Sequence, residues 1–146
     1  MQSIRIYEMP DCQMVSSGKG MFGEEKFDRF EKWLSSQKRS LFPKDFFFGG
    51  EDGFTWLYML EGTVNVPSEF EIVNFKGGLY AVATDIDQKT DTELMNAEVN
   101  KILSENGFER DTLRKDLGNI ITSHAAREIM GYEQMDYYFP IKAKNN

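Results

Sequence analysis

The stretch Glu69–Asp85, EFEIVNFKGGLYAVATD, decides the fold, because the N-terminal stretch Ile4–Gly18 reads as an earlier version of it. Set IYEMPDCQMVSSG (Ile6–Gly18) above IVNFKGGLYAVAT (Ile72–Thr84): each has an apolar run, a central polar break and a second extended run. The offset stays at about 66 positions, and the first helical pattern after each stretch keeps nearly the same offset, the self-similarity expected of repeated units. Two related halves, about 4–66 and 69–142, follow from this reading. The rival reading is that strand-turn-strand segments resemble one another by chance.

Working outward, Ser3–Glu8 alternates, with Ile4 and Ile6 on one face and Arg5 and Tyr7 on the other, and predicts a strand that bends at Pro10 and continues through Met14 and Val15. Gly18–Gly23, GKGMFG, lacks the spacing and the Lys-Ser/Thr ending of a phosphate loop and serves as a connection into a helix. From Glu24 to Gln37, Phe27, Phe30, Trp33 and Leu34 recur at helical spacing opposite Glu25, Asp28, Arg29, Glu31 and Lys32. Asp52-Gly53 between two aromatic runs predicts a hairpin whose second strand carries Phe54, Trp56, Tyr58 and Leu60 on one face and Thr55, Leu57, Met59 and Glu61 on the other. One face can pack on the helix, and an open face including Trp56 and Tyr58 would mark a binding surface.

In the second half, Phe70–Phe75 and Leu79–Thr84 are extended on either side of Lys76-Gly77-Gly78. Asp91 or Thr92 caps a second helix with Leu94, Met95, Val99, Ile102 and Leu103 as its apolar stripe, ended by Asn106-Gly107. In Phe108–Gly131, Leu113, Leu117, Ile120 and Ile121 suit a short helix followed by a strand and Ser123–Met130 suits another helical turn, a segment whose pattern the sequence leaves unresolved. Tyr132–Lys142 closes the chain as a strand, with Met135, Tyr137, Phe139 and Ile141 on one face and Asp136, Tyr138 and Pro140 on the other.

The bulk numbers narrow the function. A chain of 146 residues suits one domain with a sizeable core. Its 17 basic against 24 acidic residues give a net charge of −7 with no basic stripe, which argues against nucleic-acid binding and favours attraction of cations. The single cysteine, Cys12, forms no internal disulfide and points to a cytoplasmic setting; no apolar run reaches membrane-spanning length. His124 is the sole histidine, so a zinc site or a histidine-based triad lacks its usual members, and no cofactor motif is present. The aromatic share of 14% exceeds what a minimal core needs, and the surplus either lines a pocket or thickens the core.

Asp136 stands out, since strands disfavour Asp and a carboxylate among aromatic neighbours costs free energy unless paired or functional; an edge-strand residue facing water is the alternative. Tyr58, Tyr80 and Tyr138 can each offer a phenol to a ligand carbonyl.

The element order, the central phrase Phe75-Lys76-Gly77-Gly78-Leu79-Tyr80-Ala81-Val82 and the closing phrase Asp136-Tyr137-Tyr138-Phe139-Pro140-Ile141-Lys142 resemble the GyrI-like, or effector-binding, domain of bacterial transcription activators over nearly the whole chain. The family commonly reads "aliphatic, Pro-Ala-Gly, bulky, Tyr-Ala-Val" at the first phrase and "Glu-aliphatic-Tyr-aliphatic-Pro-aliphatic-Lys" at the second. The resemblance implies an α+β fold of the SHS2 type: a tandem βαββ repeat whose antiparallel curved sheets frame a central cleft with helices behind. It places the family's acidic cleft-floor residue at Asp136 and its tyrosine at Tyr138, with Asp for Glu shortening the arm by about one C–C bond. Since the chain begins directly with the effector-domain strand, a stand-alone member is expected.

Trp56, Tyr58, Tyr80, Asp136 and Tyr138 are therefore expected to converge on one aromatic site that binds hydrophobic or cationic small molecules, without metal or cofactor. A second reading is a hydrolase of cyclopropane-bearing genotoxic natural products, with Asp136 as general base and Tyr138 or Tyr58 as phenolic donor. A third is a partner-binding module of the gyrase-inhibitor type. All three need the same concave aromatic surface.

Overall fold

A computed structural model describes residues 4–37, 43–50, 53–62 and 64–145. The fold is α+β, with nine strands and three helices among those residues, and every strand pairing described is antiparallel. The chain divides into two compact units, Pro10–Gly77 and Met1–Met9 with Gly78–Asn146.

The first unit contains β2 (Cys12–Ser16), α1 (Glu25–Ser35), β3 (Asp45–Gly50), β4 (Gly53–Met59) and β5 (Glu71–Phe75), with strand order β3-β4-β2-β5. The aromatic hairpin is β3 and β4, paired from Asp45 with Tyr58 to Gly50 with Gly53; Glu51 and Asp52, the latter part of the expected Asp-Gly turn, lie outside the described residues. Gly53 has φ of 124°, and a Cβ there would stand 2.3 Å from the carbonyl oxygen of Gly20, so the close approach of the Gly20 strand bridge admits only glycine. Helix α1 buries Phe27 and Phe30, while Trp33 and Leu34 are half-buried at its edge. Phe30 joins Val15 and Phe70, and Trp56, Tyr58 and Leu60 pack against that cluster. The face carrying Trp56 and Tyr58, expected to stay open, is therefore the helix-packing face.

The second unit contains β1 (Ile4–Met9), β6 (Gly78–Ile86), α2 (Thr92–Glu105), β7 (Phe108–Arg110), β8 (Leu117–Ile120), α3 (His124–Met130) and β9 (Gln134–Ala143), in the order β1-β6-β9-β8 with β7 paired to the end of β9. Asp91 caps α2 by accepting from the Leu94 amide at 3.0 Å. Met95, Val99 and Leu103 of α2 meet Ala81, Ala83, Phe139 and Ile141 of the sheet. Spacing of four residues selects that seam, so Ile102 is half-buried and Leu94, expected in the stripe, is 56% exposed. Around Leu113 there is a turn rather than a short helix, and the strand and the later helix both form. Helix α3 buries none of its residues.

In each unit a strand, a helix and two further strands (β2-α1-β3-β4 and β6-α2-β8-β9) form a βαββ core, and one extra strand pairs on the edge of the first strand. That edge strand is β5 in one unit and β1 in the other, so Ile6 and Ile72, 66 positions apart, occupy equivalent strands.

Candidate functional site

Sheet register in the second unit sorts its strand residues onto two faces. Ala83 faces Ile4 and Tyr137 across its two neighbours, and Ala81 faces Ile6 and Phe139, which assigns these residues to the α2 side. The opposite parity collects Arg5 and Tyr7 from β1, Tyr80, Val82 and Thr84 from β6, Asp136, Tyr138 and Pro140 from β9, and Leu117 and Asn119 from β8. Three of the five residues expected at the site, Tyr80, Asp136 and Tyr138, thus share one face of one unit. Trp56 and Tyr58 belong to the other unit's helix-side cluster: Trp56 lies 5.6 Å from Phe30, and Tyr58 5.5 Å from Trp33, ring centre to ring centre. The Trp56 indole donates to Asp45 Oδ2 at 3.0 Å, and burial pushes the Asp45 carboxyl above its ordinary value while that hydrogen bond pulls it down.

Asp136 is buried and is not an edge residue facing water. Its Oδ1 accepts from Arg5 Nη2 at 2.8 Å and from the Thr84 hydroxyl at 2.5 Å. Arg5 Nη2 also donates to Thr84 Oγ1 at 3.0 Å, and Nη1 donates to the Tyr7 hydroxyl at 3.0 Å. Burial works to lower the Arg5 guanidinium, but the charge and hydrogen bond of Asp136 outweigh it, and Arg5 holds its proton more firmly than usual. The free-energy cost of burying Asp136 is thus met by an internal ion pair.

Tyr7 and Tyr138 adjoin this pair, and Tyr80 lies beyond Tyr138. Tyr138 lies 6.4 Å from Tyr7 and 6.0 Å from Tyr80, the latter edge-on. Burial first, then the negative charge of Asp136, pushes the Tyr138 phenol up to about 12, so at neutral pH it is a firm hydroxyl. Tyr80 is also raised by burial. Its ring is covered by Arg114, whose Cζ is 4.8 Å from the ring centre; Arg114 in turn donates to Asp111 Oδ2 and to the Leu79 and Ile141 carbonyls, all at 2.9 Å. Tyr80 and Tyr138 are buried, whereas Tyr7 and Arg5 reach solvent.

Arg5 and Tyr7 did not enter the site from sequence. Their signal was present: they share strand parity, and a lone buried carboxylate requires a cation. Which cation was hidden in a pairing across 131 positions. No group of metal-ligating side chains occurs among the described residues, and none of the described helices is long and apolar enough to cross a membrane.

No protein-family model and no curated protein sequence matches the chain. Solved structures do. A hydrolase from Listeria innocua is 13% identical, with a TM-score of 0.68 over 95% of this chain and 91% of that one. The EcmrR C-terminal domain is 6% identical, with a TM-score of 0.61 over 98% and 99%. SAV2435, in a structure bound to tetraphenylphosphonium, is 10% identical, with a TM-score of 0.52 over 96% and 94%. Identities this low carry the fold alone, and the fold this chain shares with them is the tandem βαββ arrangement described above.

Proposed function

We propose that this chain is a GyrI-like small-molecule-binding protein, taking an aromatic ligand on the helix-free face of β1, β6 and β9. The observation that carries the reading is the run of Tyr7, Tyr138 and Tyr80 in ring-to-ring contact on the face that holds the Arg5–Asp136 pair, with Tyr7 and Arg5 accessible at its rim. Stacked or edge-on tyrosines present rigid apolar area with a polar tip, the usual composition of small-ligand sites. That SAV2435 binds tetraphenylphosphonium on the same fold supports the reading.

The cationic preference implied by the family resemblance needs a carboxylate available to the ligand. Arg5 already occupies Asp136, so the proposal retains the aromatic ligand and drops the demand for positive charge. The same pairing weighs against Asp136 as general base, because the carboxylate is buried and its Oδ1 already accepts from Arg5 and Thr84, which leaves that oxygen engaged within the protein instead of facing a substrate water. Hydrolysis by the Listeria protein of this fold is the support for an enzymatic reading, and Tyr138 would suit a phenolic donor there. Binding remains the better reading.

Titrating the chain with neutral 2-naphthamide by tyrosine fluorescence tests it. Saturable one-to-one binding is expected, weakened about threefold to tenfold in Tyr7→Ala through the lost ring contact. Tyr7 is exposed enough that the substitution spares the fold. Binding that does not saturate, or an unchanged affinity in Tyr7→Ala, would remove this site.

A further inference from the structure

We infer that the ligand of this site carries an anionic or hydrogen-bond-accepting group, such as a carboxylate or phenolate, beside its aromatic ring, and that Arg5 and Tyr7 receive it. The inference rests on the binding reading above and adds the ligand's charge to it.

Arg5 has five N–H donors. Its described hydrogen bonds use both ends of the guanidinium, with Nη2 toward Asp136 and Thr84 and Nη1 toward Tyr7. The Nε–H and the second Nη1–H have no acceptor among the described residues. Tyr7 accepts from Arg5, so its own hydroxyl proton remains to be donated, again with no acceptor among the described residues. Both groups are open to solvent: the Arg5 side chain is 41% exposed and Tyr7 is 40% exposed, whereas the Asp136 side chain beneath is 5% exposed. A molecule arriving at this rim meets donors first and the carboxylate last.

Charge on the face points the same way. On β1 the single acidic residue, Glu8, has the parity of Ile4 and Ile6, and on β6 Asp85 has the parity of Ala83, so both belong to the α2 side. Asp136 is the only carboxylate that the four paired strands place on this face, and it is already neutralised. The pair is therefore a dipole buried at its negative end and wet at its positive end. A ligand carboxylate can take the open edge of the guanidinium without displacing Asp136, and such charge-assisted bonds exceed neutral ones in strength. A ligand ammonium would have to approach Arg5 directly, at a cost in like-charge repulsion. The chain's net charge of −7 opposes anions at long range, but physiological salt screens that field beyond about 8 Å while leaving contact pairs largely intact.

The test uses three probes with one ring: 2-naphthoate, 2-naphthamide and 2-naphthylmethylammonium, titrated at ~0.15 M salt, the ionic strength for which that screening length holds. Naphthoate is expected to bind about tenfold more tightly than the ammonium, the increment of one charge-assisted hydrogen bond. The double variant Arg5→Gln with Asp136→Asn, in which an amide pair can replace the ion pair, is expected to bind the two equally. Equal or tighter binding of the ammonium by the wild-type protein would overturn the inference and leave the binding reading intact, as would a naphthoate preference that survives in the double variant. Failure of all three probes would bring down the binding reading itself. The wild-type comparison decides the sign of the preference even if the double variant does not fold.

Discussion

Asp136 and Tyr138 stand two residues apart on β9, on the same face, and the charge of Asp136 adds to burial in raising the Tyr138 phenol. Raising Tyr138 to about 12 has a measurable consequence for stability. Between the ordinary tyrosine value of 10.0 and about 12 the unfolded chain has released this proton while the folded protein still holds it. Unfolding in that window releases a proton, so stability contributed by Tyr138 is complete below pH 10 and is lost as pH rises through its folded value. Spectrophotometric titration at 295 nm is expected to show a late phenolate that disappears in Tyr138→Phe, and the variant's alkaline loss of stability is expected to be shallower. A phenolate spectrum unchanged by the substitution would place Tyr138 in an ordinary aqueous setting.

Helices α1 and α2 illustrate how a stripe read from periodicity is narrowed by packing. Phe30 is fully buried against Trp33, Trp56 and Phe70, whereas Leu94 at the start of α2 is mostly in water. Phe30→Ala is expected to cost roughly 3–5 kcal/mol in chemical denaturation through lost burial and an aromatic-walled cavity. Leu94→Ala is expected to stay within about 0.5 kcal/mol of wild type. Comparable losses at the two positions would mean that α2 docks with a different face from the one carrying Met95, Val99 and Leu103.

At the scale of the whole molecule, the chain passes between its two units after Met9 and again after Gly77. The first strand in sequence thereby becomes the edge strand of the C-terminal unit, and it brings Arg5 to Asp136. Deleting residues 1–9 is expected to expose β6 as a new edge and to leave Asp136 buried without its cation. Hydrogen exchange should then accelerate in Gly78–Ile86 and around Asp136 while Gly53–Met59, in the other unit, keeps its protection. Loss of protection confined to the N-terminal unit would contradict the pairing of β1 with β6.

Much of this was legible before any coordinates. Period-two and period-3.6 patterns set most of the strands, though not β7, together with α1, α2, the β3–β4 hairpin and the parity of β9, because side-chain alternation and helical spacing are local properties. The 66-position offset also carries through, with Cys12 and Gly78 opening equivalent strands. What sequence did not contain was which face of β4 meets its helix. In the equivalent strands, Val15 pairs with Tyr58 and Ala81 with Phe139, so Trp56 and Tyr58 correspond to the helix-facing Tyr137 and Phe139, and Thr55 and Leu57 correspond to Asp136 and Tyr138. The elements between α2 and β9 shift that correspondence out of the simple offset, and an aromatic strand apolar on both faces gives no local signal to choose between them. Only the tertiary structure decided it, as it decided the partner of Asp136, because an ion pair between strands at opposite ends of the chain is a property of pairing and not of pattern.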